Sequence, residues 1–250
     1  MIGLTSITFR SLRAERIIAL AKEAGLEGIE WGADVHVPPG DTGLAGRIKA
    51  QTEEAGLSVL SYGSYYRLLE GDDFLPVLET ACALHAPLIR IWAGTKGSAQ
   101  ADDDYYRRAA GELQQVCALA ADRHVRIGLE YHRQTLTDTA GSALRLIDLT
   151  NQDNLTSYWQ PNPDLSPSEH FREISLLLPR LSSVHVFQWE KGNVRRPLAE
   201  GKSVWKEYIR LLGTGRNYIM EFVRDDREEN FLADAAVLRE LIRNGNNTIP

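Results

Sequence analysis

Three apolar strands in this chain end in groups that handle protons or metals. VRIGLEYH (residues 125–132) begins as a buried strand and finishes with Glu130 and His132, SSVHVFQWE carries His185, and NYIMEFV carries Glu221. Two glutamates and a histidine from different strands can converge on one divalent cation with hard oxygen ligands and an imidazole, typically Mn²⁺, Mg²⁺, Co²⁺ or Zn²⁺. The same carboxylates, facing each other across a substrate, can take a proton from one side of a carbon and return it to the other. A single Glu at a strand end is more often salt-bridged or solvated. Three such residues at matching ends are harder to dismiss.

The elements that position these groups are legible from a repeating unit. AKEAGLEGIEW (21–31) and TEEAGLSVLSY (52–62) each show a helix end, a Gly suited to left-handed backbone and a short strand. Continuing that unit predicts strands near 2–8, 27–32, 57–62, 87–93, 125–131, 156–160, 183–187 and 217–222. Helices are predicted near 12–24, 42–55, 73–84, 102–122, 139–149, 167–178, 202–212 and 227–243. In SPSEHF, Ser166 can cap a helix, Pro167 suits its first turn and Glu169 completes a capping box. Eight strand-helix pairs in 250 residues predict an α/β fold, a single-domain (βα)8 TIM barrel over 1–245 with a C-terminal tail at 246–250. A doubly wound dinucleotide fold fails, because Gly213-Thr214-Gly215 precedes a strand and lacks the third Gly.

In such barrels chemistry sits at the carboxyl ends of the strands. That rule leaves His36, His132 and His185 on the reactive face, and assigns His85, His124 and His170 to helix ends, loops or a helix. It also selects Glu30 in GIEW and Gln160 in SYWQPN. Glu30, Trp92 and His132 are expected at the substrate pocket, with Tyr62, Tyr65 and Trp189 as further apolar walls. Gly128, on the same side of its strand as Glu130, leaves room beside that carboxylate.

Composition narrows the partners. The chain is 43% hydrophobic with a formal net charge of −6 and no long run of Lys or Arg, which argues against nucleic acid. It has no apolar run of membrane-spanning length, and the start MIGLTSITFRS lacks the pattern of a secretory signal. The expectation is a soluble cytoplasmic protein acting on a small carbohydrate-like molecule, with no nucleic-acid or membrane partner. Monomer and homo-oligomer both stay open. Cys82 and Cys117, both in helical patterns, read as core fillers.

At these residues the chain resembles the xylose isomerase-like superfamily, the sugar phosphate isomerase/epimerase group. The resemblance covers nearly the whole chain and rests on GLEGIEW, GLEYHRQTLTDT, VHVFQW, RRPLAEGKSVWKEY and YIMEFV. It implies a metal held by Glu, Asp, His and Glu from the fifth to eighth strands. Glu130, His185 and Glu221 match that set; Gln160 stands at the Asp position. An amide keeps an oxygen ligand but removes a negative charge, which weakens the hold on a hard cation. Three accounts of that gap compete: Gln160 ligates through its carbonyl oxygen, which is favoured, Asp164 reaches in from the loop, or the metal is weak or absent. The resemblance also implies that Gln188 replaces a familiar Asp near the substrate, and that Arg196 or its neighbour Arg195 binds substrate.

The leading expectation is a metal-dependent isomerase or epimerase acting on a keto-sugar or related polyol, with Glu130 and Glu221 shuttling the proton through an enediolate. The alternatives are a dehydroshikimate dehydratase-like lyase and a metal-free barrel that only binds a sugar-like ligand. A DNA-repair nuclease would need many more His and Asp ligands and a basic groove.

Overall fold

In the computed structural model, which describes residues 1–246, the chain closes into one parallel barrel. Its strands are β1 (Ile2–Thr5), β2 (Gly28–Gly32), β3 (Ser58–Arg67), β4 (Leu88–Trp92), β5 (Arg126–Leu129), β6 (Leu155–Trp159), β7 (Leu181–Val186) and β10 (Asn217–Met220). Each pairs in parallel with its neighbours in that order, and β10 closes against β1. The helices α1 (Ala14–Glu23), α2 (Thr42–Glu54), α3 (Leu75–Ala83), α4 (Asp103–Ala121), α5 (Ala140–Thr150), α6 (Pro167–Leu177), α7 (Lys202–Leu212) and α8 (Glu228–Asn246) alternate with them. Among the described residues no helix is long and apolar enough to cross a membrane.

Local chemistry accounts for the helix boundaries. Asp41, Asp102, Thr139 and Ser166 accept hydrogen bonds from the first turns of α2, α4, α5 and α6, and Ser166 and Glu169 form the expected capping box. Gly25 and Gly56 take left-handed φ at the ends of α1 and α2, and His85 and His124 occupy the equivalent slot after α3 and α4, with φ of 56° and 58°. In each case a backbone N–H closes the last turn and the next residue starts toward a strand.

Several boundaries differ from expectation. The first strand stops at Thr5 and a 3₁₀ turn over Ser6–Phe9 replaces its predicted end. The third strand runs on to Arg67. A hairpin of β8 (Gln188–Glu190) and β9 (Val194–Arg196) stands where only a loop was expected. Of the predicted tail at 246–250, Asn246 ends α8 and residues 247–250 lie outside the described residues.

Most of the apolar core lies between barrel and helices, while a second cluster of Leu60, Leu88, Tyr158 and Ile219 fills the lumen. Glycines make that plug possible: a Cβ at Gly28 would lie 2.7 Å from Leu60, and one at Gly128 would lie 2.6 Å from the Tyr158 ring. The room beside Glu130 is thus taken by Tyr158. Cys117 is buried in the core and Cys82 is partly buried against it.

Asp234 on α8 is a buried carboxylate in the helix layer. It is 6% exposed and accepts a 2.8 Å hydrogen bond from the Leu198 N–H. Burial pushes its carboxyl up to about 6, against the opposing pull of that N–H. Because the unfolded value is lower, about 3.9, the fold holds this proton more tightly than the unfolded chain. The stabilisation is complete below about pH 4 and is lost as pH rises through about 6. Asp234→Asn keeps an acceptor and removes the titration. Its melting temperature should therefore rise relative to wild type as pH is raised across this window in parallel thermal melts, and the gap should close below it.

Candidate active site

At the carboxyl mouth of the barrel a layer of charged side chains sits above the apolar plug. Glu130 and Glu221 follow the last residues of β5 and β10, and their N–H groups still donate to Ile91 and Val186 at 2.9 and 3.1 Å. The barrel ladder therefore fixes both backbones. Phe222 then turns sharply, at φ 50°, with its N–H on the Thr8 hydroxyl. Opposite them, the register of β2 against β3 shifts between Ile29 and Glu30, and such a bulge re-aims the side chain beyond it.

Glu130, His185 and Glu221 are buried and offer one ligand atom each, all within 4.8 Å of one another. His185 Nδ1 lies 3.0 Å from Gln160 Oε1 and 3.5 Å from Glu221 Oε2. Its Nε2 lies 3.2 Å from Glu30 Oε1. Glu30 is wholly buried and also accepts from the Ser61 hydroxyl at 2.7 Å and the Tyr158 hydroxyl at 2.9 Å. Arg90 on β4, 1% exposed, donates through Nη1 to Glu130 and holds its Nε 3.4 Å from Glu30. Gly63 makes space for that guanidinium, since a Cβ there would lie 2.7 Å from Nη2.

These contacts set the charges. Burial alone would raise the Glu30 carboxyl, but Arg90 and His185 hold it well below the usual carboxylate range. Burial would lower Arg90, yet Glu130 and Glu30 keep it charged. His185 is likewise opposed by burial and is raised by Glu221 and Glu30. Glu221 is pushed up by burial and by the neighbouring Glu130, against the pull of His185.

The donor set fits a divalent cation. Three carboxylates face one guanidinium in this layer, leaving two negative charges when His185 is neutral. Both ring nitrogens of His185 face acceptor oxygens. With Nε2–H donating to Glu30, the Nδ1 lone pair turns toward Gln160 and Glu221, the carboxylate-histidine arrangement that orients metal-ligating imidazoles. Glu130, Glu221, His185 Nδ1 and the Gln160 oxygen supply carboxylate, imidazole and amide ligands that Mn²⁺, Mg²⁺, Co²⁺ and Zn²⁺ accept.

Above this layer lies a cavity of about 200 Å³. One wall is the run Tyr65, Trp92 and His132, with ring centroids 6.4 and 4.5 Å apart. The other is Phe187, Trp189 and Phe222, at 4.7 and 5.8 Å. His132 Nδ1 donates to the Arg133 carbonyl at 2.7 Å, and its Nε2 has no hydrogen-bond partner among the described residues. At the rim Arg133 bridges Asp164 at 3.0 Å and Asn193 at 2.9 Å.

The structure therefore gathers Glu130, Gln160, His185 and Glu221 around one hollow, with Trp92 and His132 on the cavity wall. Other expected residues lie elsewhere. Glu30 is a support beneath the cavity, out of reach of a substrate. Gln188 does not line the cavity, because its side chain packs over Gly201 where a Cβ would stand. Arg196 is on the exposed face of the hairpin, paired with Glu190 at 2.8 Å. Arg195 pairs with Asp226 and bonds the Val223 carbonyl. Asp164 is engaged by Arg133 and is not part of the Glu130, His185 and Glu221 cluster. Tyr62 donates to the Val37 carbonyl away from the cavity, and His36 is buried against the Leu12 carbonyl. Arg90 was not anticipated; its signal is a lone charge inside LIRIW, at a strand position flanked by inward and outward apolar residues.

Restoring the carboxylate should strengthen the cation site. Gln160→Asp adds one negative charge beside His185 Nδ1, and the dissociation constant for Mn²⁺ measured by titration calorimetry should fall by about tenfold or more. An unchanged constant would place Gln160 outside the ligand set.

Comparison with known proteins agrees with this architecture. A family model described as xylose isomerase-like TIM barrel matches residues 18–241. A 3-dehydroshikimate dehydratase of Bacillus anthracis is 27% identical over 192 residues, 69% of this chain and 67% of that protein. Among solved structures, one described as the probable 3-DHS dehydratase of Bacillus anthracis superposes with a TM-score of 0.82 at 21% identity, covering 95% of this chain and 98% of the other. An L-ribulose 3-epimerase gives 0.74 at 16% identity, covering 98% and 95%. A 3-keto-D-glucoside 4-epimerase from E. coli gives 0.72 at 15%, covering 96% and 98%. With its eight-stranded closed barrel and the match over residues 18–241, this chain belongs to the xylose isomerase-like TIM barrel family.

Proposed function

We propose that the chain is a metal-dependent lyase that removes water from a small polyhydroxylated carbonyl compound, by abstraction of the proton next to the carbonyl. The observation that carries this reading is the inequality of the proton-handling groups. Glu130 is tied to Arg90, Glu221 faces His185, and His132 alone presents an unpaired basic nitrogen on the cavity wall. A two-base epimerase needs matched groups on opposite faces of one carbon. A dehydration needs one group that takes a proton and gives it back to a departing hydroxyl.

Glu130, His185 and Glu221, with the Gln160 oxygen, would hold the divalent ion. When bound, that ion supplies Lewis-acid stabilisation of the charge developing on the carbonyl oxygen. His132 Nε2 takes the proton from the carbon beside the carbonyl, and the C–H electron pair forms the enolate. Collapse of the enolate breaks the C–O bond at the next carbon, and the His132 imidazolium returns its proton to the leaving oxygen, releasing water. Trp92 packs against His132 with the ring planes tilted by 52° and centroids 4.5 Å apart, which restricts rotation of the imidazole. The aromatic walls exclude solvent from the charged intermediate. The cavity volume of about 200 Å³ suits a single-ring molecule. The activity named for the Bacillus anthracis relative, 3-dehydroshikimate dehydration, supports this reading and supplies the first substrate to try.

A second reading is supported by Glu130 and Glu221, which both line the cavity and could act as paired bases on a keto-sugar, as in the epimerase expectation. The two readings separate on His132. Incubating the Mn²⁺-loaded enzyme with 3-dehydroshikimate should give the ultraviolet band of a new conjugated double bond, and His132→Asn should lower the rate by roughly 10²–10⁴-fold. Exchange of the α-proton with deuterated solvent without water loss, undiminished in His132→Asn, would instead select the epimerase.

A further inference from the structure

We infer that Arg90 is a positioning residue that sets the metal affinity of the site, its guanidinium acting as a fixed internal countercharge to a divalent ion held by Glu130, His185 and Glu221. The inference rests on the reading of that cluster as a metal site. Arg90 is fully buried and touches two of the three acidic groups of the layer, through Nη1 to Glu130 and through Nε at 3.4 Å from Glu30. Its Nε and Nη2 have no hydrogen-bond partner. The guanidinium is therefore held by charge and by the space that Gly63 leaves at Nη2, more than by a full set of hydrogen bonds. Arg90 is also one of the residues lining the cavity above the cluster.

Such a cation opposes a second one. A unit charge at about 5 Å from a dication, in a medium of effective dielectric about 20, changes the binding constant by orders of magnitude; relaxation and water entry reduce this to roughly tenfold or more. Arg90 also withdraws one oxygen of Glu130 from other partners. The amide at Gln160 and the guanidinium at Arg90 then act in one direction, toward an ion held less tightly than two free carboxylates and an imidazole would hold it. Glu30 works the other way, because it adds a negative charge and accepts from His185 Nε2.

This charge balance assigns signs that a structural role does not share. Removing a residue that only props up the site loosens it, so metal binding weakens. Removing a countercharge strengthens it. The test is titration calorimetry of Mn²⁺ into the full, metal-stripped chain and its Arg90→Met, Glu30→Gln and Arg90→Met/Glu30→Gln variants. Arg90→Met should tighten Mn²⁺ by about tenfold or more, Glu30→Gln should weaken it by a similar factor, and the double variant should return to within about threefold of wild type. If Arg90→Met alone does not fold, the double variant compared with Glu30→Gln carries the same prediction of tightening. An Arg90→Met constant equal to or weaker than wild type, or a double variant no tighter than Glu30→Gln, overturns the proposal. Failure of the wild-type chain to bind Mn²⁺ would instead overturn the metal site itself.

Discussion

The buried contact of the Arg90 guanidinium with Glu30 and Glu130 is the constraint around which the mouth of the barrel is organised. Ionised groups are costly to take out of water unless they are paired and hydrogen-bonded. The surrounding sequence meets that demand with Ser61 and Tyr158 on Glu30 and with the glycine at residue 63 that gives the guanidinium room. His185 then stands between Glu30 below and the Gln160 and Glu221 oxygens beside it. Removing Arg90 leaves the buried Glu130 without its ion-pair partner, so these two residues are specified together.

The plug beneath that layer explains how strands from across the barrel meet in register. Leu60 and Tyr158 are large side chains that fit the lumen because residues 28 and 128 lack a Cβ. Tyr158 belongs to both levels, its ring in the apolar plug and its hydroxyl on Glu30. The bulges at Ile29/Glu30 and Ser157/Tyr158 lie at the two ends of that hydrogen bond. Packing below and charge above are thus joined by one side chain.

The barrel was legible because each strand-helix unit carries its own punctuation, in the capping residues Asp41, Asp102, Thr139 and Ser166 and the left-handed residues Gly25 and Gly56. Strand-end polarity found Glu130, His185 and Glu221, because a carboxylate or imidazole closing an apolar strand departs from the local pattern. It placed Glu30 one level too high, since a bulge shifts a side chain without leaving a mark in residue type. Arg90 escaped because its partners lie 40 and 60 positions away along the chain, at Glu130 and Glu30, and no short-range pattern links them. The β8–β9 hairpin turned Gln188 and Arg196 away from the cavity where a loop was read. Side chains at rigid strand ends come together as the resemblance implies, whereas those expected from the loop do not.

The cavity joins this charged floor to aromatic walls that include His132, to which the proposed dehydration assigns the role of base. Everything proposed for its chemistry depends on a cation sitting where the strands of Glu130, His185 and Glu221 meet. A crystal soaked in Mn²⁺ and measured at the manganese absorption edge tests that directly. The account predicts one anomalous peak at about 2.0–2.4 Å from an oxygen of Glu130, an oxygen of Glu221 and His185 Nδ1. A fully soaked crystal with no peak there, or with its strongest peak among other side chains, would contradict it.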